Sequence, residues 1–248
     1  MYHLTLFRPK AQRFLIGLAL VQAFGTLAFG AVIYDSSAAG ELTGSRSDPA
    51  TSGVVTNMTS FQIGWTITNT GPSAWHYIYT ISGVVASGGQ GLSHFILDTS
   101  DNCINTTSGT FTDANCVTNA TMSAGTVTLV PGDYSASAPN PNFPAGADII
   151  GVKFNVVGGP ALPVTIAFDS DRAPVYGDFY AKVANSSSAY NNGLTNHAST
   201  TLSDFIARPD TSGSVIPEPA VGMLSAGGLL ILGFVRSRMK AARATARS

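Results

Sequence analysis

The chain has 248 residues, of which only 11% are charged, and a formal net charge of −1. An ordinary globular chain is roughly 25% charged; here Gly, Ser, Thr and Asn take that share, which suits an exported β-rich domain better than a cytosolic helical one. The small net charge hides a division: residues 31–218 hold all fourteen acids against five bases, a net −9, while the other eight bases lie at the two ends, so the middle repels phosphate and no nucleic-acid partner is expected for it.

Residues 1–30 carry Arg8, Lys10 and Arg13, then an apolar stretch from Phe14 to Phe29, then small residues at Ala28 and Gly30. A positive region, an apolar core and small residues before a cleavage point are the parts of a Sec-type signal peptide. Cleavage is expected before Ala31. The competing reading is a retained N-terminal anchor, for which the apolar stretch is short against the roughly 20 residues a span requires.

The middle has a period of two. "AVIYD" (31–35) is expected to open the domain as a strand, followed by a polar loop over 36–56. In "FQIGWTITN" Phe61, Ile63, Trp65 and Ile67 share one face, and in "AWHYIYTIS" Trp75, Tyr77, Tyr79 and Ile81 do so. The turn cluster Asn69–Ser73 between them predicts an antiparallel pair with one wet face. Further strands are predicted at 92–98, 125–130, 149–157, 162–170 and 177–184, with a polar loop over 185–201. Seven or eight short strands between Gly/Pro/Asn/Ser loops, without a long amphipathic helix, predict an all-β, antiparallel β-sandwich of jelly-roll type spanning 31–204. Residues 205–216 read as a linker.

Cys103 and Cys116 flank the loop "INTTSGTFTDAN". Two thiols fall short of a zinc site, which takes four ligands, and in an exported chain a disulfide is the natural pairing. The alternative is two free thiols.

Motifs for catalysis are sparse. There is no Gly-x-Ser-x-Gly, no His-Glu-x-x-His and no phosphate-cradling Gly-rich loop ending in Lys-Ser/Thr. Glutamate occurs only at 41 and 218, so a glycosidase-type carboxylate pair would have to draw on aspartates. His94 shares a strand face with Asp98 and is a weak candidate for proton transfer or metal binding, against a plain hydrogen-bonded strand histidine. His197, in a Ser/Thr/Asn loop, is expected to be solvated. Asp169, Asp171 and Asp178 in "FDSDRAPVYGD" are the densest acidic cluster and a weak calcium candidate, without the frame or closing Glu of an EF-hand loop. The competing reading pairs Asp171 or Asp178 with Arg172 or a turn. Trp75, Tyr77 and Tyr79 would stack on sugars if exposed; period-two aromatics beside Ile81 are otherwise core.

The C-terminus reads "VIPEPAVGMLSAGGLLILGFVRSRMKAARATARS". Pro217 and Pro219 flank Glu218 and hold the backbone extended. Ala220–Val235 is apolar, and as a helix would reach about 24 Å against a hydrocarbon core of roughly 30 Å. Five bases follow, which the positive-inside rule keeps cytoplasmic, so the preceding domain faces outward. The competing reading is a plain retained tail anchor.

Motif, apolar run and basic cluster together resemble the PEP-CTERM sorting signal of Gram-negative bacteria, with Ile216 standing between Val215 and Pro217-Glu218-Pro219. The resemblance implies processing by a membrane enzyme, exosortase, after transient residence in the inner membrane, and delivery to the cell surface or an exopolysaccharide matrix. It divides the chain into a signal peptide (1–30), a β domain (31–204), a linker (205–216), a sorting signal (217–240) with its transmembrane helix at 220–235, and a basic tail (241–248). Residues 151–154, 174–182 and 189–191 also resemble a pattern recurrent in PEP-CTERM proteins, with Val183-Ala184 where that pattern has Asp-Gly. It carries no established activity. The expectation is an exported, non-catalytic structural or adhesive protein without a required cofactor. Two alternatives are a carbohydrate-binding module with Trp75 in an exposed aromatic row, and a secreted hydrolase with His94 and an Asp meeting in a deep pocket.

Overall fold

The computed structural model describes residues 32–47, 55–56, 58–85, 91–99, 102–137, 139–183 and 187–209. The expected signal peptide, Pro217-Glu218-Pro219, the apolar run at 220–235 and the basic tail all lie outside the described residues. Among the described residues no helix is long and apolar enough to cross a membrane.

Strand follows strand along the chain: β1 (Thr43–Ser47), β2 (Val55–Thr56), β3 (Met58–Gly71), β4 (Ala74–Val85), β5 (Leu92–Asp98), β6 (Ile104–Asn105), β7 (Thr110–Phe111) and β8 (Thr118–Met122) come first. Then come β9 (Thr126–Ser135), β10 (Asp148–Val157), β11 (Val164–Ser170), β12 (Pro174–Gly177), β13 (Phe179–Val183), β14 (Ser188–Tyr190) and β15 (Ile206–Pro209). Two short 3-10 turns, Asn192–Thr195 and Leu202–Asp204, are the helical elements among the described residues. One sheet has the order β1-β3-β4-β11-β8 and a second the order β2-β14-β13-β5-β10-β9. The pairs β12–β15 and β6–β7 stand apart, and the pairing is antiparallel throughout.

The alternation in the sequence becomes the inner face of the first sheet. Phe61, Ile63, Trp65 and Ile67 of β3 are buried, as are Tyr77, Tyr79 and Ile81 of β4, while Gln62, Thr66 and Thr80 are exposed. The β3–β4 turn is held by the Asn69 side chain, whose Oδ1 accepts from the Gly71 amide at 3.1 Å; Asn here imitates a backbone turn. Rings from the two sheets meet in one cluster: Tyr79 lies 5.6 Å from Phe95, Phe154 5.3 Å from Phe168, and Phe61 6.1 Å from Phe179. Strand β5, "LSHFILD", is buried on both sides. Its inner residues Phe95 and Leu97 join the main core, and Ile96 joins a second cluster with Phe143, Ile149, Tyr180, Tyr190 and Leu194. A strand covered twice reads as a continuous apolar run, which is what 95–97 show.

Several boundaries depart from the sequence expectation. "AVIYD" is not a strand where it is described: Ser36 N donates to Ile33 O at 2.9 Å and Asp35 sits at φ 60°, so the segment turns. Its amides reach out singly, Ile33 N to Ser199 O and Asp35 N to Tyr176 O. The polar stretch 36–56 contains β1 and β2, and 185–201 contains β14. The strand expected over 177–184 is two strands, with Asp178 at the break. Residues 205–209 do not belong to a linker. Phe205, Ile206, Ala207 and Arg208 are fully buried, and β15 pairs Tyr176 with Ala207 and Gly177 with Ile206. Tyr79, in the middle of the core, donates its hydroxyl to Ala207 O at 2.7 Å. The folded domain therefore continues through Pro209.

Candidate functional site

The residues picked from the sequence do not converge. His94 is 4% exposed and lies against the Tyr180 ring, 5.8 Å between centroids. Its expected partner Asp98 instead accepts from the Tyr34 hydroxyl at 2.9 Å and lies 3.0 Å from Arg208 Nε. Asp169 takes His76 Nδ1 at 2.7 Å and the Asn119 amide at 2.9 Å. Asp171 pairs with Arg172 Nε at 3.1 Å, and Arg172 also binds Asp113 at 2.7 Å. Asp178 is elsewhere, with Asn191 and His197. The three aspartates of the calcium candidate therefore hold separate partners, and no group of three potential metal ligands occurs among the described residues. Tyr77 and Tyr79 are fully buried and donate to backbone carbonyls of Arg172 and Ala207, so only the half-buried Trp75 of the proposed aromatic row reaches the surface. Cys103 and Cys116 form a disulfide.

The densest chemistry lies where the two ends of the domain meet, at Arg208. Its side chain is wholly buried, with Asp35 and Asp98 as ion-pair partners and Pro209 O accepting from Nη1 at 3.1 Å. Arg208 Nε makes a charge contact with Asp98 but no hydrogen bond of good angle. The guanidinium also lies 5.4 Å from the Tyr34 ring centre. A guanidinium out of water is tolerable only with such pairing. Burial opposes its charge, yet Asp98, Tyr34 and the other acids outweigh it and hold the pKa above the ordinary arginine value.

Asp98 is the least comfortable member. Burial pushes its carboxyl from 3.8 up to about 7, against the pull of Arg208, and Asp178 adds to the rise. Tyr34 is driven upward by burial and then by the Asp98 charge, so its hydroxyl remains a proton donor. Asp178, 1% exposed, accepts from Asn191 Nδ2, and His197 Nε2 lies 2.8 Å from its other oxygen. His197, expected in solvent, stacks on Tyr34 at 4.2 Å and 7°. The hydrogen bond to Asp178 raises its pKa in spite of partial burial.

An imidazole oriented by a buried carboxylate is half of a nucleophilic site; the other half is a hydroxyl or thiol within reach of the ring. Ser199, two residues on, gives its hydroxyl to Asp204 instead. Both cysteines are spent in the disulfide. What the arrangement does is fasten β15 and the Ile33–Ala38 segment to the sheets through charge. Sequence reasoning missed Arg208, Asp35, Tyr34 and Asn191 because they lie in segments read as strand, loop or linker. The one available signal was an arginine set within the apolar frame "FIARP".

No family model, no curated protein and no solved structure matches this chain.

Proposed function

We propose that this protein is an exported, non-catalytic structural or adhesive component of the cell surface or extracellular matrix. It folds as a two-layer β-sandwich of jelly-roll type, is delivered by its signal peptide, and is held briefly in the inner membrane by residues 220–235. An exosortase-type enzyme then processes it at Pro217-Glu218-Pro219. An exopolysaccharide matrix is its expected surroundings. The observation that carries this reading is the C-terminal order of Pro-Glu-Pro, sixteen mostly apolar residues and five bases.

Three structural features support it. The Cys103–Cys116 disulfide suits an oxidising compartment. The inner faces of two antiparallel sheets share one ring cluster, as a sandwich requires. Only seven residues, 210–216, separate the last described strand from Pro217, so the Pro-Glu-Pro motif follows the folded domain closely along the chain. The test is the intact mass of the protein recovered from cells that carry an exosortase-type enzyme. A mature chain beginning at Ala31 and ending near Pro219 is expected. A chain that keeps 220–248 is a plain tail anchor and overturns the sorting role.

A further inference from the structure

The five bases of the acidic region divide into two groups. Arg46 chelates Glu41 through both nitrogens, at 2.9 and 2.8 Å; Arg172 takes Asp113 and Asp171; Arg208 takes Asp35 and Asp98. The remaining two, Lys153 and Lys182, make no ion pair among the described residues. Both are on the outer face of the second sheet, around His94. In the register, Lys182 stands opposite His94 on one side, Asn155 stands opposite it on the other, and Lys153 is two residues from Asn155 on the same strand. Directly opposed side chains start about 5 Å apart and diagonal ones about 7–8 Å apart, so two lysine stems can bring both ammonium groups over the imidazole.

The field at His94 agrees with that placement. Burial pushes the ring down to about 4, and Lys153 and then Lys182 push it the same way. A hydrogen bond with the Asn140 side chain pulls the other way without reversing the shift; the ring is therefore neutral, and its buried Nε2 makes no hydrogen bond of good geometry among the described residues. Asn155 is exposed beside it, and the Tyr134 ring steadies Lys153 from behind at 5.3 Å. Two cations that both act on the His94 ring, an exposed amide and a neutral ring floor outline a cradle for an anion of a few ångströms once the lysine stems swing over it. The net −9 of the region does not cancel this, because at physiological ionic strength charges beyond about 8 Å are largely screened.

We propose that Lys153, Lys182 and Asn155, over the floor made by His94, form an oxyanion-binding site, taking a sulfate or carboxylate group either as a free ion or carried on an acidic polysaccharide. The site does not depend on the sorting reading, since it is built wholly from the folded domain.

The test uses the full chain in a non-ionic detergent with ring-labelled histidine, which gives four assignable histidines. Inorganic sulfate is titrated against chloride at matched ionic strength. The His94 resonance is expected to move saturably, with half-effect at about 1–10 mM, the range of a weak two-contact site, while His76 and His197 stay in place. Bound sulfate also raises the pH at which His94 titrates. The Lys153→Met/Lys182→Met variant keeps the apolar stems and loses the response, and the Lys153→Arg/Lys182→Arg variant keeps it. Dextran sulfate and polygalacturonate form the second arm: an affinity per charged group at least about tenfold above the free ion identifies the polymer as the ligand, through repeated rebinding, and parity identifies the free ion. A His94 resonance that ignores sulfate, or a double-methionine variant that responds like the parent, overturns the proposal.

Discussion

At the scale of the residue, the charge cluster around Arg208 gives the protein a dependence on pH. Asp98 has a pKa of 3.8 when unfolded and about 7 when folded. The folded chain therefore holds a proton that the unfolded chain releases, and Asp98's contribution to stability falls as pH rises across that window. His197 acts in the same direction at higher pH: its pKa is raised from 6.5, so its contribution is complete below 6.5 and fades as pH passes through the folded value. His94 opposes both, since its pKa is depressed and its contribution grows between about 4 and 6.5. Comparing variants separates the three. The stability of the parent relative to Asp98→Asn, from urea unfolding, is expected to decline steadily between about pH 4 and 7; a constant difference, or one that grows, contradicts the assignment. Little of this was legible in the sequence. His94 and Asp98 stood out by sharing a strand face, but Asp98 found its partners in Tyr34 and Arg208, sixty-four residues before it and more than a hundred after it.

At the scale of the element, β15 is the piece the sequence concealed. It has four residues, two of them Arg208 and Pro209, and no alternation to announce it. It is held because Gly177 opposite leaves room for the Arg208 stem. A Cβ on Gly177 would stand 1.8 Å from Arg208 Nε, whereas one on Gly40 meets nothing within 4 Å. Gly177→Ala is expected to cost about 1–3 kcal/mol, the usual range for overpacking, and to open β15 to proteolysis, while Gly40→Ala leaves both unchanged. The Cys103–Cys116 loop makes a second element-scale case. Its two buried cysteines are separated by 13 positions, and closing such a loop is worth about 3 kcal/mol in the chain-entropy account. Replacing both by Ala should lower the urea midpoint accordingly while the rest of the sheet signal in circular dichroism persists. The hairpin β3–β4 is the opposite case: its alternation and Asn-Thr-Gly-Pro-Ser turn were readable because every determinant lies within a few residues.

At the scale of the whole molecule, the two ends of the domain interlock. Ile33 and Asp35 donate their amides to Ser199 and Tyr176, Ser37 bridges Val175, and the Asp35 carboxylate meets Arg208. Arg46, on β1, donates Nε to Phe205 O at 2.8 Å and ties the first sheet to the same region. The segment expected to follow signal cleavage is thus part of the clamp on the strand that leads to the proposed sorting motif. A chain that begins at Ala39 instead of Ala31 removes Asp35 and Tyr34 together. It is expected to lose about 1–3 kcal/mol, the cost of leaving buried polar groups short of a partner, measured as the shift in urea unfolding. An unchanged midpoint would mean that the ends carry no load.

The sequence by itself determined the class of the protein: β strands by period-two alternation, the hairpin by its turn residues, and the disulfide by two cysteines too few for a zinc site; the order of charge and apolar run at each end is what the proposal of export rests on. Those signals are local, each contained in a few neighbouring residues. Only the tertiary structure decided which aspartate meets which cation, that 205–209 close the domain, and that Lys153 and Lys182 flank His94 without an ion pair among the described residues. The reason is physical: charge pairing and burial are settled by the antiparallel register of strands far apart in the chain, and no short window of sequence contains that register.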